Sequence, residues 1–156
     1  MKRNIMINTS IEKDGDHIDG AIMVSYLDPN DIQAPIIGIT AIPYISSKKI
    51  LNYFISIGIM YSNTETYIVE LNDFKKLLEL NKKLSSINSN KQSCILAEDK
   101  ENSILLEPEE NEKYNLLYMN NNTKKKILID ILYKDDIGFL NAMSCIVKDY
   151  ITTKYV

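Results

Sequence analysis

The sequence predicts an α+β fold: a mostly antiparallel sheet, formed by an N-terminal hairpin and a C-terminal meander, packed by about three helices, the last at the C-terminus. Apolar runs of strand length alternate with turn residues near both ends of the chain, and longer segments have the apolar spacing and caps of helices. The length of 156 residues and the apolar fraction of 45% are typical of one folded unit. We therefore expect a single domain over residues 1–156.

The N-terminal hairpin is predicted from two apolar runs, residues 4–11 and 20–27, with the turn-rich stretch EKDGDHID between them. The segment DPNDIQAP follows, and its prolines and Asn-Asp pair predict an irregular connection. A further strand is predicted from Ile36 to Ile42, ending at Pro43.

The next segment, SKKILNYFISIGIMY, is predicted to form a helix from about Lys48 to Tyr61. Ser46 or Ser47 can cap this helix by accepting hydrogen bonds from its first-turn amides. Apolar residues cover most of the helical circumference, so the helix should be buried on more than one side. Its many β-branched isoleucines leave a strand as the alternative.

Residues 66–71 have the composition of a strand, and Asn72 or Asp73 then caps another predicted helix. Lysines and one glutamate occupy one side of this helix, and the other side carries an apolar stripe at spacings near three and four: Phe74, Leu77, Leu78, Leu84 and Ile87. The stripe predicts a surface helix that packs against the core on one side.

From Cys94 to Lys134, the apolar runs SCILA, NSILLE, KYNLLYM and KKKILIDILYK are separated by acidic residues, proline and asparagine, which predicts a meander. Apolar side chains fall on both faces of the last run, so both faces should be covered. Asp135 and Asp136 then cap a terminal helix with a broad apolar face, which should dock across the sheet. The sequence shows no internal repeat.

The composition excludes several kinds of partner. Arg3 is the only arginine, and the planar guanidinium is what reads guanine edges and phosphates in a bidentate manner, so we expect no sequence-specific nucleic acid. The longest apolar-rich run, from Ile50 to Tyr61, is shorter than the roughly 20 residues that span a bilayer. We therefore expect no membrane insertion.

The cysteines and the N-terminus indicate a cytoplasmic protein. Cys94 and Cys145 are the only cysteines, and their wide spacing fits neither a disulfide framework nor a metal knuckle. The first apolar run stops at Ile7, which is too short for a signal peptide.

The stretch EKDGDHIDG gathers the most chemically active side chains: Asp14, Asp16, His17 and Asp19. Asp14 and Asp16 match the first two positions of a calcium-binding loop, but Ile18 stands where the third ligand belongs. His17 is the only histidine, so it has no imidazole partner for a transition metal. The pattern favours a hairpin turn at Asp14-Gly15, and we expect no metal and no cofactor.

Two other groups have a plain structural interpretation. The glutamates of EPEENE, from Glu107 to Glu112, are predicted to lie on a solvated hairpin loop rather than to form a catalytic pair. Cys145 falls opposite the apolar face of the terminal helix, so its thiol should be either incidentally exposed or covered by something outside the domain. The chain has no phosphate-binding glycine motif.

These observations predict a non-catalytic protein-interaction module, such as an adaptor, an assembly factor or chaperone, or an inhibitor. The excess of apolar residues on the meander and on the 48–61 segment predicts that an apolar sheet or helix surface binds a protein partner or a second copy in a homodimer. The alternative is a small enzyme or metal-dependent binder with a site around Asp14, Asp16, His17 and Asp19.

Overall fold

The computed structural model describes residues 3–13, 15–31, 33–49, 51–60, 65–71, 73–90 and 92–155. In chain order the elements are β1 (Asn4–Asn8), β2 (Ile11–Lys13), β3 (Asp16–Ile18), β4 (Ile22–Leu27), β5 (Ile36–Ile45), β6 (Leu51–Met60), β7 (Thr66–Glu70), α1 (Phe74–Asn90), β8 (Cys94–Glu98), β9 (Asn102–Pro108), β10 (Lys113–Asn120), β11 (Lys126–Tyr133) and α2 (Lys134–Tyr155).

The predicted architecture, an α+β fold with one hairpin-plus-meander sheet packed by about three helices, is wrong. The described residues form an α+β structure that is mostly strand, with three antiparallel sheets and two helices, one in the middle of the chain and one at its C-terminal end. The error comes from the predicted helix at 48–61, because most of that segment is the ten-residue strand β6.

The first sheet has the strand order β1-β4-β5-β6-β7, and all its pairs are antiparallel. Alternate side chains of β6 are buried, namely Tyr53, Ile55, Ile57 and Ile59. Burial of every second side chain is typical of a strand with one face on the core, and isoleucine is among the residues that favour strands. β5 continues through Pro43 to Ile45. β4 begins at Ile22, opposite Ala41, so the last residues of β5 have β6 as a neighbour on one side only, and proline is tolerated in a strand edge of this kind.

The N-terminal hairpin is divided into two parts. β1 pairs with β4 in the first sheet, whereas β2 and β3 form a separate two-stranded sheet at the tip. Gly15 at the tip has φ +82°, and Gly20, between β3 and β4, has φ +85°. Both angles lie in the left-handed region that glycine adopts without strain, so these residues permit the tight turn and the change of direction.

The second sheet has the order β11-β10-β9-β8. The two large sheets share a topology: β4 to β7 followed by α1, and β8 to β11 followed by α2, are each a four-stranded antiparallel meander that leads into a helix. Helices α1 and α2 pack together, α2 lies mainly against β4 and β5, and α1 lies mainly against β8. Each helix therefore covers chiefly the other meander, and the buried side chains of both sheets and both helices form one core.

Aspartate side chains accept hydrogen bonds from backbone amides at the start of both helices. Asp73 Oδ1 accepts a hydrogen bond of 2.8 Å from the Lys76 N–H at the start of α1. Asp136 Oδ2 accepts one of 2.7 Å from the Tyr133 N–H, which satisfies an amide at the start of α2. The predicted cap at Asp73 is confirmed, whereas Asp136 acts from within the first turn of α2, because the helix begins two residues earlier, at Lys134. Asn72 lies outside the described residues.

Polar side chains join the two helices on their facing sides. Asn81 Nδ2 on α1 lies 3.0 Å from Asn141 Oδ1, 2.8 Å from Ser144 Oγ and 3.0 Å from Cys145 Sγ on α2. Both predictions for Cys145 are wrong, because its thiol is half-buried under α1 of the same chain.

Candidate functional site

The first sheet has one face on the core and one face turned away from it. Strand alternation and register place the buried isoleucines of β5 and β6 on the core side. We call the opposite side the outer face. Its apolar side chains come from all five strands of the sheet: Met6, Met23, Leu27, Ile36, Ile42, Tyr44, Phe54, Met60 and Ile68.

Three of these side chains are well exposed. Phe54 is 60% exposed, Met6 57% and Ile68 48%, and the ring of Tyr44 stacks on that of Phe54 with centroids 4.1 Å apart. Glu70 is the one charged residue that the strand register places on this face within the described strands. A sheet face of this size with so little charge is unusual for a surface in contact with water.

The centre of the outer face lacks large side chains. Ser25, Gly38 and Gly58 lie side by side in one cross-strand row, and Met6 and Ile68 stand at its two ends. A Cβ added at Gly38 would lie 3.8 Å from the nearest atom, and one at Gly58 would lie 3.6 Å from Ile68 Cγ1. Alanine would therefore fit at both positions. The glycines leave a shallow depression that packing inside this chain does not require.

The second sheet also has an apolar row on the side away from the core, formed by Ile95, Leu105, Leu117 and Leu128. Leu128 is 54% exposed and Ile95 39%, but the two leucines between them are buried. An ion pair between Lys126 Nζ and Glu107 Oε1, at 2.6 Å, lies beside this row. The apolar patch on the second sheet is thus narrower and more polar at its border than the outer face of the first.

The residues of the predicted hairpin tip are at the surface. Asp16 and Asp19 are exposed, His17 has a side chain that is 54% exposed, and Asp14 lies outside the described residues. In a Ser-His-Asp triad the serine and the aspartate contact different ring nitrogens. Here His17 Nε2 lies 3.1 Å from Ser10 Oγ and 3.2 Å from Asp19 Oδ1, so one nitrogen faces both groups and cannot pass a proton between them.

The acidic loop after β9 is likewise solvated. Glu109, Glu110 and Glu112 are exposed, and Glu107 is engaged with Lys126. Among the side chains that the structure describes, no group of three or more His, Cys, Asp or Glu is placed to hold a metal ion. The geometry therefore offers no specific support for the enzyme or metal-binding alternative.

A cavity of about 420 Å³ lies where the start of β1 meets β11, and Arg3, Asp130, Ile131, Tyr133 and Asp136 line it. Two side-chain hydrogen bonds lie at this cavity, and Arg3 Nη1 is buried without a hydrogen-bond partner among the described residues. Arg3 Nη2 donates to Asp130 Oδ2, and the hydroxyl of Tyr26, on β4, donates to Asp136 Oδ1 over 2.6 Å. The guanidinium of Arg3 also lies 5.5 Å from the centre of the Tyr26 ring. This cluster ties the first sheet to β11 and α2.

The Tyr26 hydroxyl is held in its protonated form. Burial raises the pKa of Tyr26, the hydrogen bond to Asp136 and the charge of that carboxylate raise it further, and the charge of Arg3 lowers it to a smaller extent. A tyrosine with a raised pKa stays protonated at neutral pH and gives up its proton less readily than an ordinary tyrosine. At neutral pH the Tyr26 hydroxyl therefore acts as a hydrogen-bond donor to Asp136.

We expect the contribution of Tyr26 to stability to disappear at alkaline pH. The folded-state pKa is raised above the ordinary value of about 10, so the stabilisation is complete below pH 10 and falls as the pH rises through the interval above it. Tyr26→Phe should lower the free energy of unfolding by about 1.5–3 kcal/mol at pH 8. Above pH 10 the difference between the two proteins should shrink. Urea unfolding of both proteins at pH 8 and at pH 11 measures this, and a difference that does not change with pH would contradict it.

No protein-family model matches this chain, and searches of curated proteins and of solved structures found no match. Neither helix, over its described residues, has the length and apolar character needed to cross a membrane.

Proposed function

We propose that this protein is a non-catalytic interaction module, of the adaptor, assembly-factor, chaperone or inhibitor kind, which binds a protein partner through the outer face of the first sheet. The observation that carries the proposal is the outer face itself: nearly free of charge, exposed at Phe54, and shallow along the Ser25-Gly38-Gly58 row. A cytoplasmic location and the lack of a sequence-specific nucleic-acid partner belong to the same proposal, and the two free cysteines support the location.

The chemistry of the outer face suits protein binding. Exposed aromatic side chains supply much of the binding energy in protein interfaces, and charged residues are scarce in the centres of those interfaces because they are costly to dehydrate. Phe54, stacked on Tyr44, offers a rigid anchor, while Met6, Met23 and Met60 are flexible enough to adapt to a partner's shape.

The size of the face is sufficient for a modest interface. Strands lie about 4.8 Å apart and rise about 3.3 Å per residue, so five strands of five to ten residues present a footprint of about 400–700 Å². A standard interface buries about 800 Å² on each partner. The outer face is therefore suited to a partner of moderate or transient affinity.

Replacing Phe54 tests the proposal. Tagged wild-type protein and the Phe54→Ser variant are incubated with an extract of the source cell, and captured proteins are compared by quantitative mass spectrometry. Leu128→Ser is the matched control, because Leu128 is exposed to a similar extent, 54% against 60%, on the second sheet. We expect at least one protein captured by wild type and by Leu128→Ser to be reduced about tenfold or more with Phe54→Ser.

Other outcomes would overturn the proposal. Capture that depends on Leu128 and not on Phe54 would move the binding surface to the second sheet. Full capture by Gly58→Leu, which fills the depression in the outer face, would show that a partner does not approach the centre of that face.

A further inference from the structure

Strand β1 forms an open edge of the first sheet. It pairs with β4 along one side only, and no other described strand pairs with it. Because backbone groups of alternate residues in a strand point to opposite sides, half of the N–H and C=O groups of β1 point away from β4. Asn4, Met6, Ile7 and Asn8 are exposed at this edge, Met6 to 57% and Ile7 to 53%.

Open edges in soluble proteins usually carry a feature that prevents pairing, such as a lysine, a proline, a bulge or an inward-pointing charge. The edge strand of the second sheet, β11, has such features: Lys126 lies at its start, its register with β10 shifts between Leu116 and Leu117, and Asp130 points inward to Arg3. Between Asn4 and Asn8, β1 has no charge and no proline, and its register with β4 is unbroken. The edge of β1 is thus open to another strand.

The sequence of this edge strand suits antiparallel pairing with a second copy of itself. Residues 4–8 read NIMIN, which is the same in both directions. In an antiparallel pair centred on Met6, each Asn4 lies opposite Asn8 of the other copy, each Ile5 lies opposite Ile7, and the two Met6 side chains meet on the two-fold axis. Every cross-strand pair is then a match of like chemistry, and matched pairs of this kind stabilise antiparallel sheets.

We propose that a second copy of this chain pairs with β1 edge to edge, so that two five-stranded sheets join into one continuous sheet across a two-fold axis. The pairing covers the exposed surface of Met6 and Ile7 and gives partners to the free backbone groups. The interface contains five residues from each copy, so the dimer is weak and depends on protein concentration. It does not rest on the proposed partner-binding role, although it would set two outer faces side by side.

Charge substitutions at Met6 test the pairing in purified protein by sedimentation velocity over a wide range of concentration. Wild type should shift from monomer to dimer as concentration rises. Met6→Lys places two like charges opposite each other on the axis and should weaken self-association about tenfold or more. Met6→Glu should do the same, and an equimolar mixture of the two variants should associate again as a heterodimer.

Ile68→Lys is the matched control, because Ile68 stands at the other end of the cross-strand row that begins at Met6, on strand β7. This variant should associate as wild type does. Equal loss of association in Ile68→Lys and Met6→Lys would place self-contact on the outer face and overturn edge pairing. A wild-type protein that stays monomeric, or a mixture of charge variants that fails to associate, would also overturn it. The sedimentation samples contain only this protein and its variants, so these results are independent of the capture experiment with Phe54→Ser.

Discussion

Replacing Arg3 with methionine is expected to lower the free energy of unfolding by about 3–5 kcal/mol, the usual cost of breaking a buried ion pair from one side. The Arg3 side chain is 5% exposed and that of its partner Asp130 is 18% exposed, so the substitution leaves a mostly buried carboxylate without its charged partner. Methionine keeps most of the aliphatic volume, so the loss reports on charge and hydrogen bonding rather than on a cavity. Urea unfolding followed by circular dichroism measures the change.

The double variant Arg3→Met, Asp130→Leu measures how much of the lost stability comes from leaving one charge without its partner. Because both charges are gone, much of the lost stability should return, and the coupling between the two sites should be large. Lys126→Met is the matched control at an exposed pair, where Lys126 is 45% and Glu107 31% exposed, and it should cost less than about 1 kcal/mol. An effect of Arg3→Met no larger than that of Lys126→Met would show that Arg3 does not tie the first sheet to β11.

The strands of the second sheet lie where the sequence places apolar runs between clear turn residues. The boundaries there are local: Pro108 and the acidic residues after it end β9, and the Asn120 region ends β10. The two helices have capping aspartates, Asp73 ahead of α1 and Asp136 in the first turn of α2, whose effect also acts within a single turn. Local signals of this kind are visible in a sequence without knowledge of the rest of the chain.

The helix predicted at 48–61 failed for a reason that concerns the candidate site. A strand with one solvated face alternates apolar and polar residues. On the outer face of β6 this pattern holds at Asn52, Ser56 and Gly58, which carry no large apolar side chain. At Phe54 and Met60 the outer face is itself apolar, so the alternation is interrupted and the segment resembles a helix buried all round. The side chains that make the outer face a candidate interaction surface are the ones that concealed the strand.

The candidate site as a whole depends on long-range register. The excess of apolar residues in the 48–61 segment was visible in the sequence, but the row that joins Met6, Gly38, Gly58 and Ile68 spans residues far apart in the chain. Only the successive pairing of β1 with β4, β4 with β5, β5 with β6 and β6 with β7 brings them together. Conversely, local composition alone made the charged hairpin tip a candidate site. The structure gives His17 no geometry suited to proton relay.

Alanine substitutions at Ile57 and Phe54 distinguish the strand from the predicted helix directly. In a helix these residues lie three positions apart and share one side, so both would be buried or both exposed. In β6 they lie on opposite faces: Ile57 is 4% exposed, whereas Phe54 is 60% exposed. Ile57→Ala should lower the free energy of unfolding by about 2–5 kcal/mol, and Phe54→Ala by less than about 1 kcal/mol.

Ile59→Ala serves as the companion measurement, because Ile59 is fully buried on the same face as Ile57 and should show a loss of similar size. The urea dependence of unfolding for the three variants gives the comparison under one set of conditions. Similar costs at Phe54 and Ile57 would contradict the assignment of β6. A small cost at Phe54 alone means that this position can be altered without unfolding the protein, so a loss of partner capture in Phe54→Ser would report on the outer face itself.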